Sequence, residues 1–395
     1  MSFNIALSGL NAVSEQLGAI SHNIANAGTT GFKSSRADFG SVYAESQALG
    51  VEVLGKTQSI SQNGTLVATG RTLDLGISGG GFFVTRSSSG EQMFTRAGVF
   101  NTDNQNYVVS ATGSRLQGYP VDAAGNLQMG GIGDIQLQTT NLPARATDSL
   151  NFVANLNANQ DVPALAPFDP DNADTFNSTY TTKIYDSLGR EHTLTQYFVK
   201  TADNTWEAHY YADGTAVGGP QAITFGTDGA LTGPVGTVAV GFPVAGADPV
   251  AIEIDYSGTS QYGSDFVVTS NRATGYSAGE QTGLAVEKDG RIYATYSNGQ
   301  RMLQGQLVLA NFVNPQGLKS ESGTQWSASD ESGDPLIGIP GVGQNGQIAS
   351  GSLENSNVDL TQQLVGLMES QRNYQANSKV LSTDKELTQV LFNAI

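Results

Sequence analysis

Apolar residues at Phe3, Ala6, Leu10, Val13, Leu17, Ile20 and Ile24 recur at alternating steps of three and four. That heptad rhythm predicts an amphipathic helix of about 22 residues, roughly 33 Å long, stopped by the turn sequence Asn26–Gly28. The far end repeats the rhythm through Leu360, Leu364, Leu367, Gln371, Tyr374, Ser378 and Leu381. It resumes one place out of step at Asp384, Thr388, Leu391 and Ile395. Polar residues dilute this second stripe, which argues against a simple dimeric zipper. Asp359 with Gln362 supplies an N-terminal capping pair for it.

Between the two helices the pattern changes to β. Leu73–Ile77, Thr193–Val199, Trp206–Tyr211, Ile252–Tyr256 and Leu303–Phe312 are short alternating or apolar runs. Asn-Gly or Asp-Gly pairs begin at Asn63, Asp213, Asp228, Asp289, Asn298 and Asn345, and such pairs mark hairpins. Asn159–Asp174, with its prolines and acids, reads as an exposed loop. Boundaries near Pro143 and Gly279 bracket a central domain. The fold class is therefore mainly β with terminal α-helices. Two narrow seams at opposite chain ends suit helix-to-helix packing, with each other or with neighbouring copies, better than packing on a β-domain. One lone helix pair buries too little surface, so the seams suggest a polymer.

Composition narrows the function. Only 14% of residues are charged, and 19 basic against 36 acidic residues give a net charge of −17. Phosphate binding needs a basic face, so nucleic acid is not an expected partner. With no cysteine, disulfide and thiolate chemistry are excluded. No cleavable signal peptide and no run long enough to span a bilayer stand out, so membrane insertion is not expected.

Gly50-Val-Glu-Val-Leu-Gly-Lys-Thr57 formally matches a P-loop. The motif needs a buried strand before it and a helix after it, whereas Ser41–Leu49 are mixed and polar and Thr57–Gly70 alternate like a hairpin. Asp169-Pro-Asp-Asn-Ala-Asp174 has neither the glycine nor the final glutamate of a calcium loop. His22, His192 and His209 stand in three separate segments without metal-ligand spacing. The sequence offers no catalytic, cofactor or metal residue, and a non-enzymatic chain is expected.

Residues 23–33 read Asn-Ile-Ala-Asn-Ala-Gly-Thr-Thr-Gly-Phe-Lys. This resembles the signature of the bacterial flagellar rod and hook axial proteins, with Asn23, Asn26, Thr29, Gly31, Phe32 and Lys33 on the patterned positions. Leu73–Phe83, Phe94–Phe100, Leu116–Tyr119, Gly351–Asp359, Gln371–Asn377 and Leu387–Gln389 are similar to further blocks of that family. Asn106 stands where the family usually carries a glycine.

The resemblance implies a chain that runs out and back. Residues 1–27 with 358–395 would form an inner helical tube domain and 28–70 a connector hairpin. Residues 71–145 with 281–357 would form a β-rich middle domain, and 146–280 an outer β domain. Subunit assembly would rest on Phe3, Leu10, Val13, Leu17, Ile20 and Ile24 of the first helix. Leu360, Leu364, Leu367, Tyr374, Leu381 and Leu391 would serve it on the second. The short segment Ser41–Lys56 and the large central domain favour the hook over the distal rod. A β-rich extracellular adhesin or enzyme is a further alternative.

A hook subunit would polymerise with itself into a curved tube outside the cell. It would leave through the flagellar type III export apparatus without a cleaved signal, with Phe3 and Leu7 as a short export signal. Its other implied partners are the distal rod protein, the hook cap, the hook-filament junction protein and the hook-length control protein.

Overall fold

The computed structural model describes residues 2–44, 47–122 and 125–393. The first heptad pattern folds as helix α1, Ser2–Ala25. It stops where Asn26 turns its side chain back onto the His22 carbonyl (2.9 Å) and accepts a hydrogen bond from the Thr29 hydroxyl (3.1 Å). Side-chain hydrogen bonds of this kind offer the backbone an alternative to a further helical turn. The second pattern folds as α2, Leu360–Asn393. Asp359 caps it as expected, its carboxylate accepting from the N–H groups of Thr361 (2.9 Å) and Gln362 (3.1 Å). No helix of the described residues is long and apolar enough to cross a membrane.

From α1 the chain enters an antiparallel hairpin of β1 (Ser35–Ala44) and β2 (Gln47–Gln58), bulged after Asp38 and Val42. The P-loop-like run lies along β2 as extended chain. The rest of the described residues form strands and loops, with two short 3-10 turns at Ala173–Thr175 and Pro315–Gly317. By packing, the chain forms two units: residues 1–139, 283–295 and 301–395, and residues 140–282 with 296–300.

In the first unit, strands from both halves of the sequence interleave. Arg115–Pro120 pairs with Arg301–Leu307, and Phe82–Arg86 pairs with Leu309–Asn311. Two clusters fill it, one around Leu75, Ile77, Phe83, Phe100 and Leu116, the other around Phe82, Phe94, Phe312 and Trp326. Asn106 has φ 63°, the left-handed backbone that a glycine would adopt at no cost. Asparagine tolerates that region better than most residues.

The second unit has two sheets around one core. Strands Ser149–Asn157, Thr237–Phe242 and Val250–Asp255 belong to one sheet, and Ser178–Tyr185, Glu191–Ala202 and Thr205–Ala212 to the other. Strict alternation of buried and partly exposed positions along Thr205–Ala212 puts Trp206, Ala208, Tyr210 and Ala212 inside. The core carries its polar groups in pairs. The hydroxyls of Tyr210 and Tyr256 meet at 2.9 Å, and the Trp206 indole donates to Gln261 at 3.1 Å. Four of the six Asn-Gly and Asp-Gly pairs, at Asp213, Asp228, Asp289 and Asn298, join neighbouring paired strands. Asn159–Asp174 is free of strand.

Phe152 is fully buried, stacked on Phe198 (5.7 Å) and edge-on to Tyr180 and Tyr256. Phe152→Ala should destabilise the second unit by about 3–5 kcal/mol. The readout is urea unfolding followed by Trp206 emission in a Trp326→Phe background. A midpoint unchanged from the parent would contradict this account of the core.

Candidate functional site

Lys33, the last of the signature residues, meets Arg96 and the Gly64 backbone at one buried carboxylate. Lys33 donates to Glu354 Oε1 at 2.7 Å and to the Gln62 carbonyl at 2.6 Å. Arg96 reaches Glu354 Oε2 at 3.1 Å and the Gly79 carbonyl at 3.0 Å. The Gly64 N–H donates to the same Oε1 at 2.9 Å. All three charged side chains are buried. Burial pushes the Lys33 ammonium and the Arg96 guanidinium below their ordinary pKa values, opposed in each case by the Glu354 carboxylate. One anion therefore serves two desolvated cations, and removing it would leave both without a counter-charge.

The other signature residues build the surroundings of this latch. Gly31 has φ 70°, and a methyl group there would sit 2.5 Å from the Ala97 nitrogen, so only glycine fits. Its N–H donates to the Glu354 carbonyl at 2.8 Å. Phe32 is buried and meets His22 edge-on at 5.3 Å. Asn23 holds the start of β1, donating to the Ser35 carbonyl (2.7 Å) and accepting from the Ser35 N–H (2.9 Å). Asn357 accepts from the Ser34 N–H (2.7 Å) and donates to the carbonyls of Ser59 (2.9 Å) and Gln62 (3.1 Å). The outgoing chain at 31–35 and the returning chain at 354–359 are thus stitched together where α1 ends and α2 begins.

Beyond the latch the two helices run antiparallel. Asn23 donates to Gln363 (3.1 Å), Ile20 lies against Gly366, and Gly9 lies against Asn377. A methyl on Gly9 would come within 3.0 Å of the Asn377 amide, so small residues set the close approach. On the α2 side, Gln363, Ser370, Asn377 and Asp384 recur every seven residues and are buried or half-buried. On the α1 side, Ala6, Val13 and Ile20 are buried. The hairpin covers a second face of α1, where Ser8 accepts from the Val51 N–H (3.2 Å) and Glu15 pairs with Lys56 (2.9 Å).

The predicted seams point only partly at this contact. Leu10, Leu17 and Ile24 are half-buried, and Phe3 and Leu7 are exposed. On α2, Leu367 and Leu381 are half-buried, while Leu360, Leu364 (46% exposed) and Tyr374 are exposed. Leu391 falls in α2, but its side chain lies outside the described residues, as does Ile395. On a helical wheel of 3.6 residues per turn, Phe3, Leu7, Leu10, Leu17 and Ile24 share one flank of the pair with Leu360, Leu364, Leu367 and Tyr374. The hairpin covers the opposite flank. Val365, Met368, Val380, Leu387 and Val390 (65% exposed) add apolar surface elsewhere on α2.

The sequence did not single out Arg96, Glu354 or Gln62. A signal was present, since Arg96 and Glu354 are isolated charges within matched blocks of a chain poor in charge.

Four family models match the chain. "Flagella basal body rod protein" matches residues 3–33, and "Flagellar hook protein FlgE/F/G D1 domain" matches 76–152. "Flagellar basal body protein FlaE D2 domain" matches 155–276, and "Flagellar basal body rod FlgEFG protein C-terminal" matches 349–394. The flagellar hook protein FlgE of Escherichia coli (strain K12) is 36% identical over 416 residues, covering 100% of both chains. That of Rhizobium meliloti (strain 1021) is 35% identical over 98% of this chain and 97% of its own. That of Treponema pallidum (strain Nichols) is 31% identical over 95% and 96%. The crystal structure of Helicobacter pylori flagellar hook protein FlgE2 shares the fold, with a TM-score of 0.56 at 15% identity over 73% of this chain and 100% of that one.

Glu354→Gln should cost about 3–5 kcal/mol, because Lys33 and Arg96 then face a neutral amide in a buried site. Lys33→Met should cost less, since Glu354 keeps Arg96 and Gly64. Urea unfolding read at Trp326, whose indole donates to Gln58 at 2.8 Å near the latch, ranks the two variants. Equal losses, or none for Glu354→Gln, would contradict the reading of the latch.

Proposed function

Because the chain belongs to the flagellar hook protein FlgE family, we propose that its latched helix pair is the unit that assembles. The protein is a structural subunit of the flagellar hook, and it polymerises with itself. In our reading the paired helices form the wall of an inner tube and the two β units stand at larger radius. The tube is flexible and curved, and it transmits motor torque from rod to filament. No catalytic step is assigned to the chain.

One observation carries the assembly reading. The helix pair leaves a partly exposed flank, rich in apolar residues of both helices and interrupted by Gln371 and Ser378. A third helix fits such a flank, and a second copy of the chain is the source the family implies. Covering each half-exposed leucine contributes on the order of 1 kcal/mol. The polar positions between α1 and α2 weaken the pair in isolation and fix its register. Neighbouring copies then supply the apolar contacts that the pair lacks.

Several partners follow from the family alone. The distal rod protein, hook cap, hook-filament junction protein and hook-length control protein would meet this subunit during growth. Export would pass through the flagellar type III apparatus without a cleaved signal, to a place outside the cell. Phe3 and Leu7, exposed at the free end of α1, fit a short export signal that is read before assembly.

Leu364→Asp should abolish polymerisation. It places an unpaired charge on the flank that a neighbour covers, at a cost of several kcal/mol once buried. The monomer should fold normally, with Trp206 and Trp326 emission unchanged, because Leu364 is exposed in the single chain. Sedimentation and electron microscopy of the purified variant check this. Polymers at the parental level would overturn the assignment of this flank.

A further inference from the structure

We propose that His192 is a proton-operated latch in the second unit, holding the turn Asp186–Arg190 against two paired segments near the ends of that unit's long stretch, residues 140–282. Those segments are 140–148 and 273–280. They form a narrow antiparallel ladder, with Leu142 and Gly279 exchanging both backbone hydrogen bonds (2.9 and 3.0 Å), as do Arg145 and Tyr276 (3.0 Å each).

Two neighbours support this ladder from the side: Asn298 donates to the Ser277 carbonyl (2.6 Å) and Ser297 exchanges hydrogen bonds with Glu280 (2.8 and 3.0 Å), while the turn packs against it at Ala144 and Ser277. Gly189 lies so close that a methyl there would sit 2.7 Å from Ala144 Cβ and 3.3 Å from Ser277 Cα. Tyr185 and Thr147 add two hydrogen bonds of 2.9 Å.

The turn is organised around the fully buried carboxylate of Asp186. It accepts from the N–H groups of Leu188 and Arg190 (2.9 Å each) and from the Arg190 guanidinium (2.7 Å). Arg190 also donates to the Ala245 carbonyl at 2.9 Å. The imidazole of His192 stands between two carboxylates, with Nδ1 2.6 Å from Asp213 and Nε2 3.4 Å from Asp186. The Phe242 ring closes the remaining side edge-on at 6.1 Å. Asp186, Asp213 and Arg190 are the charged groups that face the imidazole.

Counting donors gives the mechanism. An imidazolium carries two N–H groups and can donate to both carboxylates, whereas a neutral imidazole has one. Loss of the proton therefore turns a ring lone pair toward Asp186 or toward Asp213. It also leaves two carboxylates against the single charge of Arg190.

Asp186 stays ionised throughout. Burial alone would raise its pKa, but the Arg190 N–H and guanidinium, His192 and the Leu188 N–H outweigh it and bring it down to about 2. The hydrogen bond with Asp213, then that with Asp186, hold the His192 imidazolium above the ordinary histidine value against the opposing effect of burial. A histidine raised in the folded state contributes stability that is fully present below its unfolded pKa. That contribution is lost as pH rises through the folded pKa.

The test is hydrogen exchange with mass spectrometry on the full chain, across the pH range in which His192 titrates and corrected for intrinsic rates. The imidazole titration itself is read by NMR. Peptides covering 140–148 and 273–280 should lose protection several-fold as His192 deprotonates, along the same curve. His192→Gln should remove that pH dependence, while His209→Gln should leave it intact. Protection that stays flat while His192 titrates, or a pH dependence that survives in His192→Gln, would overturn the proposal. Should His192→Gln fail to fold, the match or mismatch of the two curves in the parent chain decides.

Discussion

The structure depends on one carboxylate. Glu354 neutralises two cations that have left water, and the three groups come from residues 33, 96 and 354 of the chain. A buried ion pair is not in itself a strong source of stability, because desolvation offsets much of the attraction. Its force lies in what it forbids. Any arrangement that separates the chain near residue 33 from the chain near residue 354 leaves a charge buried without a partner. The point where α1 ends is thereby fixed against the point where α2 begins, and Asn23 with Gln363 carries that register into the helices.

The contact between the two helices is a compromise. Gln363, Ser370, Asn377 and Asp384 face α1 once per heptad, opposite small or polar residues such as Gly9 and Asn23. A seam of this kind specifies alignment at the expense of stability. The leucines that would have strengthened it point to the flank instead. With α1 about 36 Å long and α2 about 51 Å, the last turns of α2 also run past the start of α1. In the assembly reading proposed above, the single chain is an unfinished helical structure attached to finished β-structure. Trp206, Phe152 and Tyr256 close the second unit's core without any neighbour. This division suits a subunit whose helices hold a polymer together while its β units keep their own fold.

Much of this was legible in the sequence. The heptads at Phe3–Ile24 and Leu360–Leu381 gave both helices because 3.6-residue periodicity is a local property. Asp213-Gly214 and Asn298-Gly299 gave hairpins because their backbone conformation is local too. The seams marked apolar faces, but periodicity cannot say which face meets the partner helix and which meets a neighbour. Asn63-Gly64 looked like another hairpin; it instead places the Gly64 N–H on Glu354. The latch itself was hidden for a physical reason. Lys33 and Glu354 stand 321 positions apart, and no pattern along a chain pairs one lysine with one glutamate at that range.

The central claim is that the latched helices, and not the β units, are completed by assembly. Hydrogen exchange on the purified monomer and on the assembled polymer, compared peptide by peptide, tests it most directly. Peptides from 2–25 and 360–393 should gain strong protection on assembly, while those from 149–273 change little. Helices that exchange alike in both states, or protection gained mainly in 149–273, would contradict it.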